Sequence, residues 1–234
     1  MNRQAQAVLL FLVGIVVVHA SATNLYLRYV KAGLRPLLLA AGAVLIVTAL
    51  VTVWYEWRRA KAPQRHEHAH REPRISWLLA LPVCALVLVA PPALGSYAAD
   101  RTGTALQRPS GFAALPAGDP LRLSIVDYAG RAVYDRGRSL GGRRIKITGF
   151  VILDGSGGSY LTSMVLNCCA ADAQPIKIGL SGQLPRILQP DTWLEVIGTY
   201  TGEQAKDPIN DGVIPFINVS QSRRVPAPQD PYDS

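Results

Sequence analysis

Three long apolar stretches in the N-terminal part of the chain constrain its fold more than any other feature. They cover residues 5–27, 34–57 and 75–93, and none has an ionised side chain at its centre. Each is close to the ~20 residues that a helix needs to cross a hydrocarbon core of ~30 Å. Because lipid offers no partner to free backbone groups, such a segment must be helical. The sequence therefore predicts a three-helix transmembrane region in a lipid bilayer.

The distribution of charge predicts the orientation of these helices. Most of the net charge of +8 lies in residues 1–119, which hold twelve lysines and arginines against five acidic residues. The second loop, residues 58–74, contains six basic residues, whereas the first contains only Arg28, Lys31 and Arg35. Since basic loops stay in the cytoplasm, we place the N-terminus and the second loop there and the C-terminal half outside it. Because membrane topology accounts for the excess of positive charge, this excess is not evidence for a nucleic-acid partner.

The first apolar stretch also has a second interpretation. A basic Arg3 before it and the A-x-A pattern of residues 20–22 after it resemble a secretory signal with a cleavage site. We favour an uncleaved helix, because the apolar stretch continues through residues 25–27. The predicted location of the C-terminal half is the same in both cases.

Three of the four histidines lie close together in the second loop. His66, His68 and His70 occupy alternate positions. Imidazoles at this spacing can bind zinc or another transition metal if the loop folds back on itself. A solvated polar loop without a ligand role is the alternative.

The C-terminal half carries the pattern of a small β domain. Residues 95–120 are rich in glycine, proline, alanine and serine, which predicts a linker. Residues 121–225 form the predicted domain, in which residues 121–134 suggest a short helix. Five strand patterns follow, at residues 143–153, 160–166, 176–180, 193–200 and 214–220. Residues 226–234 contain three prolines and acidic residues, and they predict a flexible tail.

Glycines inside two of these strands indicate how the sheet closes. Gly149 and Gly198 suit points where a closed sheet coils sharply. We therefore expect an OB-like five-stranded β-barrel, with a small β-sandwich as the alternative. The predicted fold class is thus a membrane α-helical region followed by a soluble β domain.

Adjacent cysteines just after the second strand pattern are the main chemical feature of this half. Cys168 and Cys169 are followed by Asp172. These residues can bind a soft or borderline cation such as zinc, although two thiolates and one carboxylate fall short of four ligands. Alternatively, the cysteines cycle between a dithiol and a strained vicinal disulfide, or they are buried packing residues.

The sequence contains no recognisable catalytic constellation. All four histidines lie in residues 1–70, so the β domain has no candidate for a Ser-His-Asp triad. A phosphate-binding glycine loop, a dinucleotide-binding pattern and an HExxH motif are also missing from the sequence. We therefore predict a protein that is not an enzyme and carries no organic cofactor.

Four segments together resemble one family. They are residues 90–101 (APPALGSYAADR), 147–151 (ITGFV), 166–180 (LNCCAADAQPIKIGL) and 191–200 (DTWLEVIGTY). They resemble the YcgQ-like family of bacterial membrane proteins, described as subunits of a two-component permease complex. The resemblance implies a larger polytopic permease as the partner and, loosely, a role in metal homeostasis.

Three functional hypotheses follow from these observations. The first, which we favour, is a non-enzymatic accessory subunit of a membrane permease, whose outer β domain binds the partner or the substrate. The second is a metal-binding membrane sensor or carrier. The third is an extracytoplasmic thiol redox protein, which requires an exposed cysteine of low pKa.

Overall fold

The chain folds into two compact units. The computed structural model describes residues 3–60, 81, 84–85, 89, 91–154 and 157–233. One unit is Met1–Pro92 and the other is Ala93–Ser234. The predicted third span, residues 75–93, falls mostly outside the described residues, although residues 81, 84, 85 and 89 are helical.

The first unit contains two long helices, α1 (Arg3–Ala22) and α2 (Arg35–Ala60). Among the described residues, these two are long and apolar enough to cross a membrane. The α-helical conformation of α1 ends at Ala22, short of the predicted end at residue 27. The apolar Tyr26 and Leu27 are instead buried in a 3-10 turn, Asn24–Arg28. Local apolar composition therefore predicted a longer α-helix than the chain forms.

Small residues hold α1 and α2 together as an antiparallel pair. A Cβ on Gly14 would lie 3.1 Å from the carbonyl oxygen of Gly42, and one on Gly42 would lie 3.2 Å from the carbonyl oxygen of Gly14. At one end of the pair, Arg35 Nε donates to the carbonyl oxygen of Ser21 at 3.0 Å. Ala7 and Ala49 are also buried, and both recur at seven-residue steps from the glycines. Small residues at this spacing allow two helix backbones to approach closely.

The described residues of the second unit form seven strands and two α-helices. The strands are β1 (Leu121–Arg122), β2 (Ile145–Leu153), β3 (Ser159–Val165), β4 (Gln174–Gly182), β5 (Trp193–Lys206), β6 (Val213–Arg224) and β7 (Tyr232–Asp233). The helices are α3 (Ser96–Asp100) and α4 (Ile125–Tyr134). All five predicted strand patterns form strands, and the predicted short helix within 121–134 is α4.

Five of the strands close into a barrel. The order is β2-β5-β6-β4-β3, and β3 pairs again with β2. The β4–β6 pair is parallel, and the other pairs within the barrel are antiparallel. This closed five-stranded barrel is consistent with the predicted OB-like barrel. Its interior is filled by buried aliphatic side chains, including Ile147, Val151, Leu161, Ile178, Val196 and Ile217.

Gly198 lies at a point where the barrel coils sharply. The β5–β6 register shifts between Ile197 and Gly198. A Cβ on Gly198 would lie 2.9 Å from the side chain of Ile217. Such a contact is too short for any larger residue, so the bulge and the close approach of the strands both depend on glycine.

Helix α4 packs against the barrel through its apolar face. Ser124 caps the helix, because its Oγ accepts a hydrogen bond from the Asp127 N–H at 3.0 Å. Ile125, Ala129 and Ala132 are buried in the barrel core. Tyr128 is buried with them and donates its hydroxyl to the carbonyl oxygen of Phe216 at 2.6 Å. Burial raises the pKa of Tyr128, so this tyrosine stays a neutral hydrogen-bond donor.

Part of the segment predicted as a linker is fastened to the barrel. We call residues 93–105 the strap. Ser96 donates from its N–H and its Oγ to the carboxylate of Asp191, at 2.6 and 2.8 Å. Further along, the Thr104 N–H donates to Asp207 Oδ2 at 2.9 Å, and the Ala105 N–H donates to the carbonyl oxygen of Pro175 at 3.0 Å. The prediction of a linker over residues 95–120 was based on composition. Composition gives no information about hydrogen bonds to residues that are distant in the sequence.

The predicted flexible tail also belongs to the barrel unit. Within residues 226–234, β7 pairs in parallel with β3, with Tyr232 opposite Met164. The Tyr232 hydroxyl accepts a hydrogen bond from the Leu94 N–H at 3.0 Å. Tyr232 completes what we call the outer apolar cluster, which also contains Ala99, Phe150, Ile152, Met164 and Leu166. The strap and the tail therefore cover one outer face of the barrel.

Candidate functional site

The adjacent cysteines lie in the connection between β3 and β4. We call residues 167–173 the cysteine loop. On its N-terminal side, Leu166 is buried in the outer apolar cluster, which fixes the point where the loop begins. On its C-terminal side, a 3-10 turn, Ala170–Asp172, leads into β4. The loop is therefore a short connection held at both ends by the barrel.

Asp172 fastens the cysteine loop from within. Its carboxylate accepts a hydrogen bond from the Asn167 N–H at 3.1 Å and another from the Cys168 N–H at 2.9 Å. The Asp172 N–H donates in turn to the carbonyl oxygen of Cys169 at 3.0 Å. These bonds fold the loop back, so that the carboxylate lies beside both cysteines.

Three potential ligand atoms converge in this loop. The sulfurs of Cys168 and Cys169 and a carboxylate oxygen of Asp172 all lie within 4.8 Å of one another. Both cysteines are free thiols; Cys168 is exposed and Cys169 is half-buried. A tetrahedral zinc ion holds thiolate and carboxylate ligands roughly 3.5–3.8 Å apart. The donors therefore fit such an ion after a contraction of at most about 1 Å, and they leave a fourth position open.

Electrostatics in the cysteine loop favour a protonated thiol. Hydrogen bonds to the Asp172 carboxylate and then to Cys169 raise the pKa of Cys168 to about 11. The same contacts with Cys168, together with backbone N–H donors, hold the pKa of Asp172 below its usual value. A nucleophilic or redox-active cysteine needs a lowered pKa. The raised pKa of Cys168 therefore argues against thiol redox chemistry, and a cation that binds here must displace the thiol proton.

The histidine cluster predicted as a second metal site cannot be placed relative to the cysteine loop. His66, His68 and His70 lie outside the described residues. Their proposed role as metal ligands stays a prediction.

A buried ion pair was missed by sequence reasoning. Lys177 Nζ lies 2.8 Å from Asp207 Oδ2, and both side chains are almost fully buried. Burial tends to raise the pKa of Asp207, but hydrogen bonds from Lys177 and from the Ile209 and Thr104 N–H groups outweigh it and leave the pKa lowered. The sequence signal for this pair was Lys177, which stands between two isoleucines in strand β4. A lysine that is buried at such a position needs an acidic partner. Because this pair fastens the strap, we assign it a structural role.

A cleft of about 260 Å³ lies between α4 and the segment that follows the strap. Its walls include Pro109, Phe112, Val126 and Val165. Its one carboxylate, on Asp127, is paired with Arg131 Nε at 2.9 Å. The cleft is therefore mainly apolar, and its charged group is already engaged within the domain.

The second unit is thus a small closed β-barrel domain with a dithiol–carboxylate cluster in one loop. Its sequence matches one family model, that of the DUF1980 C-terminal domain, over residues 128–233. The match covers all five barrel strands and the cysteine loop, and the two apolar helices lie outside it. Comparisons with curated proteins and with solved structures gave no match.

Proposed function

We propose that this chain is a non-enzymatic accessory subunit of a two-component membrane permease, and that its barrel domain binds a transition-metal ion as cargo. The observation that carries the proposal is the convergence of Cys168, Cys169 and Asp172 within 4.8 Å. Thiolates select soft or borderline cations, so zinc or another transition metal is the expected cargo. The exposure of Cys168 gives the ion a direct path to and from solvent.

The geometry of the cysteine loop supports transfer rather than permanent storage. Structural zinc sites are usually closed by four protein ligands. This loop offers three, and an incoming ligand from a partner can occupy the fourth position. Asp172 orients the loop through the N–H groups of Asn167 and Cys168 before the ion arrives. In this way the site combines a preformed loop with an open coordination position.

The membrane part of the proposal draws support from the first unit. Exposed apolar side chains cover both helices, among them Phe11, Ile15, Leu37, Val44, Val47 and Leu50. Surfaces of this kind on a water-exposed protein mark an interaction site or a membrane contact. With basic residues concentrated in 58–74, we propose that the N-terminus lies in the cytoplasm and the barrel outside it.

One hydrogen bond supports a third crossing. Helix α2 begins at Arg35, just after the first loop, and a helix of its length extends about 39 Å. Pro91 is nevertheless back at the first loop, where its carbonyl oxygen accepts a hydrogen bond from the Tyr29 hydroxyl at 2.6 Å. Pro91 therefore lies near the end at which α2 begins. This position is the one expected after a third span.

Metal content of the full chain tests the proposed cargo site. The protein, purified in detergent under reducing conditions, is loaded with zinc, desalted and analysed by elemental mass spectrometry. We expect bound zinc in the wild type and in the control Cys84→Ser, and loss of it in the double variant Cys168→Ser and Cys169→Ser. Equal zinc content in the wild type and the double variant would remove the cysteine loop from the proposal.

Affinity purification tests the partner. After crosslinking in intact membranes, mass spectrometry of the purified chain is expected to identify a polytopic membrane protein. Recovery of the chain alone, both with crosslinking and in mild detergent, would contradict a role as a permease subunit.

A further inference from the structure

Two arginines at the end of α2 are stacked on aromatic rings one helical turn earlier. The guanidinium carbon of Arg58 lies 4.0 Å from the ring centroid of Trp54, and that of Arg59 lies 4.7 Å from the centroid of Tyr55. Arg59 also donates to the Tyr55 hydroxyl at 3.1 Å. Two successive i, i+4 pairs of this type place both cations in the last turn of an apolar helix.

These pairs are on the surface of the helix. Trp54, Tyr55 and Trp57 are 49, 46 and 60% exposed. Both arginines are exposed as well. The aromatic rings therefore hold the guanidinium groups in place without covering them.

The charge of the two arginines is not neutralised within the described part of the chain. Neither Arg58 nor Arg59 forms an ion pair with a described carboxylate, although Glu56 lies in the same helical turn. The next residues in the sequence add Lys61 and Arg65. By contrast, Arg35 at the opposite end of α2 is bonded to the Ser21 carbonyl oxygen and serves the helix pair.

We propose that Arg58 and Arg59 form a binding site for the phosphate group of anionic membrane lipids. The proposal rests on the membrane insertion of α2 set out above. Tryptophan and tyrosine side chains favour the boundary between hydrocarbon and headgroups, so the stacked arginines lie at headgroup depth. Their N–H donors suit a phosphate oxygen geometrically as well as electrostatically. The contiguous apolar surface, which continues through Val51 and Val53, selects a lipid phosphate over a soluble one.

Tryptophan quenching by brominated lipids tests this site. The full chain is reconstituted in phosphatidylcholine vesicles that contain an equal fraction of either brominated phosphatidylcholine or brominated phosphatidylglycerol. A basic residue near an anionic surface enriches anionic lipid about fivefold. We therefore expect stronger quenching by the anionic lipid, and a clearly smaller preference for it in the variant Arg58→Gln and Arg59→Gln.

A matched control is available in the other unit. Arg101 stacks on Tyr97 at 3.8 Å in the same way, but it lies outside the apolar helices. The variant Arg101→Gln is expected to keep the wild-type preference for anionic lipid. Since Arg58 and Arg59 are exposed, their replacement should leave the helical content unchanged, which circular dichroism verifies.

The possible results of this experiment distinguish a failure of the lipid site from a failure of the membrane insertion on which the site depends. Quenching by neither brominated lipid in the wild type would overturn the insertion of α2 and the site with it. Equal quenching by both lipids in the wild type would overturn the lipid site alone. A preference of undiminished size in the double variant would overturn the assignment to Arg58 and Arg59. A preference lost to inorganic phosphate at constant ionic strength would overturn the choice of lipid as the source of the phosphate.

Discussion

Asp172 lies beside two cysteines and raises the pKa of one of them, Cys168. Its carboxylate accepts backbone hydrogen bonds from Asn167 and Cys168 and lies against the Cys168 thiol. A negative charge at this position disfavours the thiolate in the metal-free protein. The same charge attracts a divalent cation. One residue can therefore keep the empty loop unreactive and also prepare it for metal.

The variant Asp172→Asn separates these two effects in the metal-free protein. We expect the pKa of Cys168 to fall from about 11 toward the value of an ordinary thiol, because the amide carries no charge. A full return to the ordinary value of ~8.5 would raise the thiolate fraction at pH 9 from about 1% to about 75%. The rate of alkylation by iodoacetamide, measured from pH 7 to 10, reports this change. An unchanged pH profile would show that Asp172 does not govern the thiol.

The buried Lys177–Asp207 pair makes a prediction about stability. Replacing Lys177 by methionine leaves the carboxylate of Asp207 buried without its counter-charge. We expect a loss of about 3 kcal/mol in the free energy of unfolding. The control is Lys146→Met, which removes a more accessible partner of Glu195 and should cost about 1 kcal/mol or less. Urea titration of both variants gives the comparison, and similar losses would contradict a special role for the buried pair.

The pH dependence of stability follows from the same aspartate. The pKa of Asp207 is lower in the folded chain than the value of ~3.9 expected in the unfolded chain. Its contribution to stability is therefore complete above that value and is lost as the pH falls toward the folded pKa. The variant Asp207→Asn should show a flatter decline of melting temperature below pH 4 than the wild type. A parallel decline would assign acid sensitivity to other carboxylates.

At the scale of elements, the contact between α1 and α2 depends on two glycines. The variant Gly42→Leu places a side chain where a Cβ would already be 2.7 Å from Val18 Cγ2. We expect the helices to separate, at a cost of about 1–3 kcal/mol. The control is Gly33→Ala, since a Cβ there has no neighbour within 4 Å. Thermal denaturation in detergent measures the difference, and equal stability of the two variants would contradict the close helix contact.

How well each element could be predicted depends on the range of its interactions. Short runs of apolar and β-branched residues between turn residues located all five barrel strands, because both signals are local in the sequence. Gly198 marked the bulge. The strap and the tail could not be predicted from composition. Thr104 bonds to Asp207, which lies 103 residues further along the chain. Leu94 bonds to Tyr232, which lies 138 residues further along. Cys168 and Asp172 were found because they are close in the sequence and meet within one loop.

At the scale of the whole molecule, the two units make a prediction about sidedness. In intact cells, an impermeant maleimide is expected to label a single cysteine introduced by Gly202→Cys, at an exposed position in the barrel unit, without permeabilisation. A single cysteine introduced by His66→Cys, with the three native cysteines replaced by serine, should be labelled only after permeabilisation. The reverse pattern would invert the proposed topology.

The outer apolar cluster joins residues from both ends of the barrel unit, since Ala99 comes from the strap and Tyr232 from the tail. During synthesis, Phe150, Ile152 and Met164 leave the ribosome long before Tyr232 does. Their outer face therefore stays uncovered until the last strand has emerged. If the barrel is exported as proposed, this outer face is completed only after the tail has also crossed the membrane.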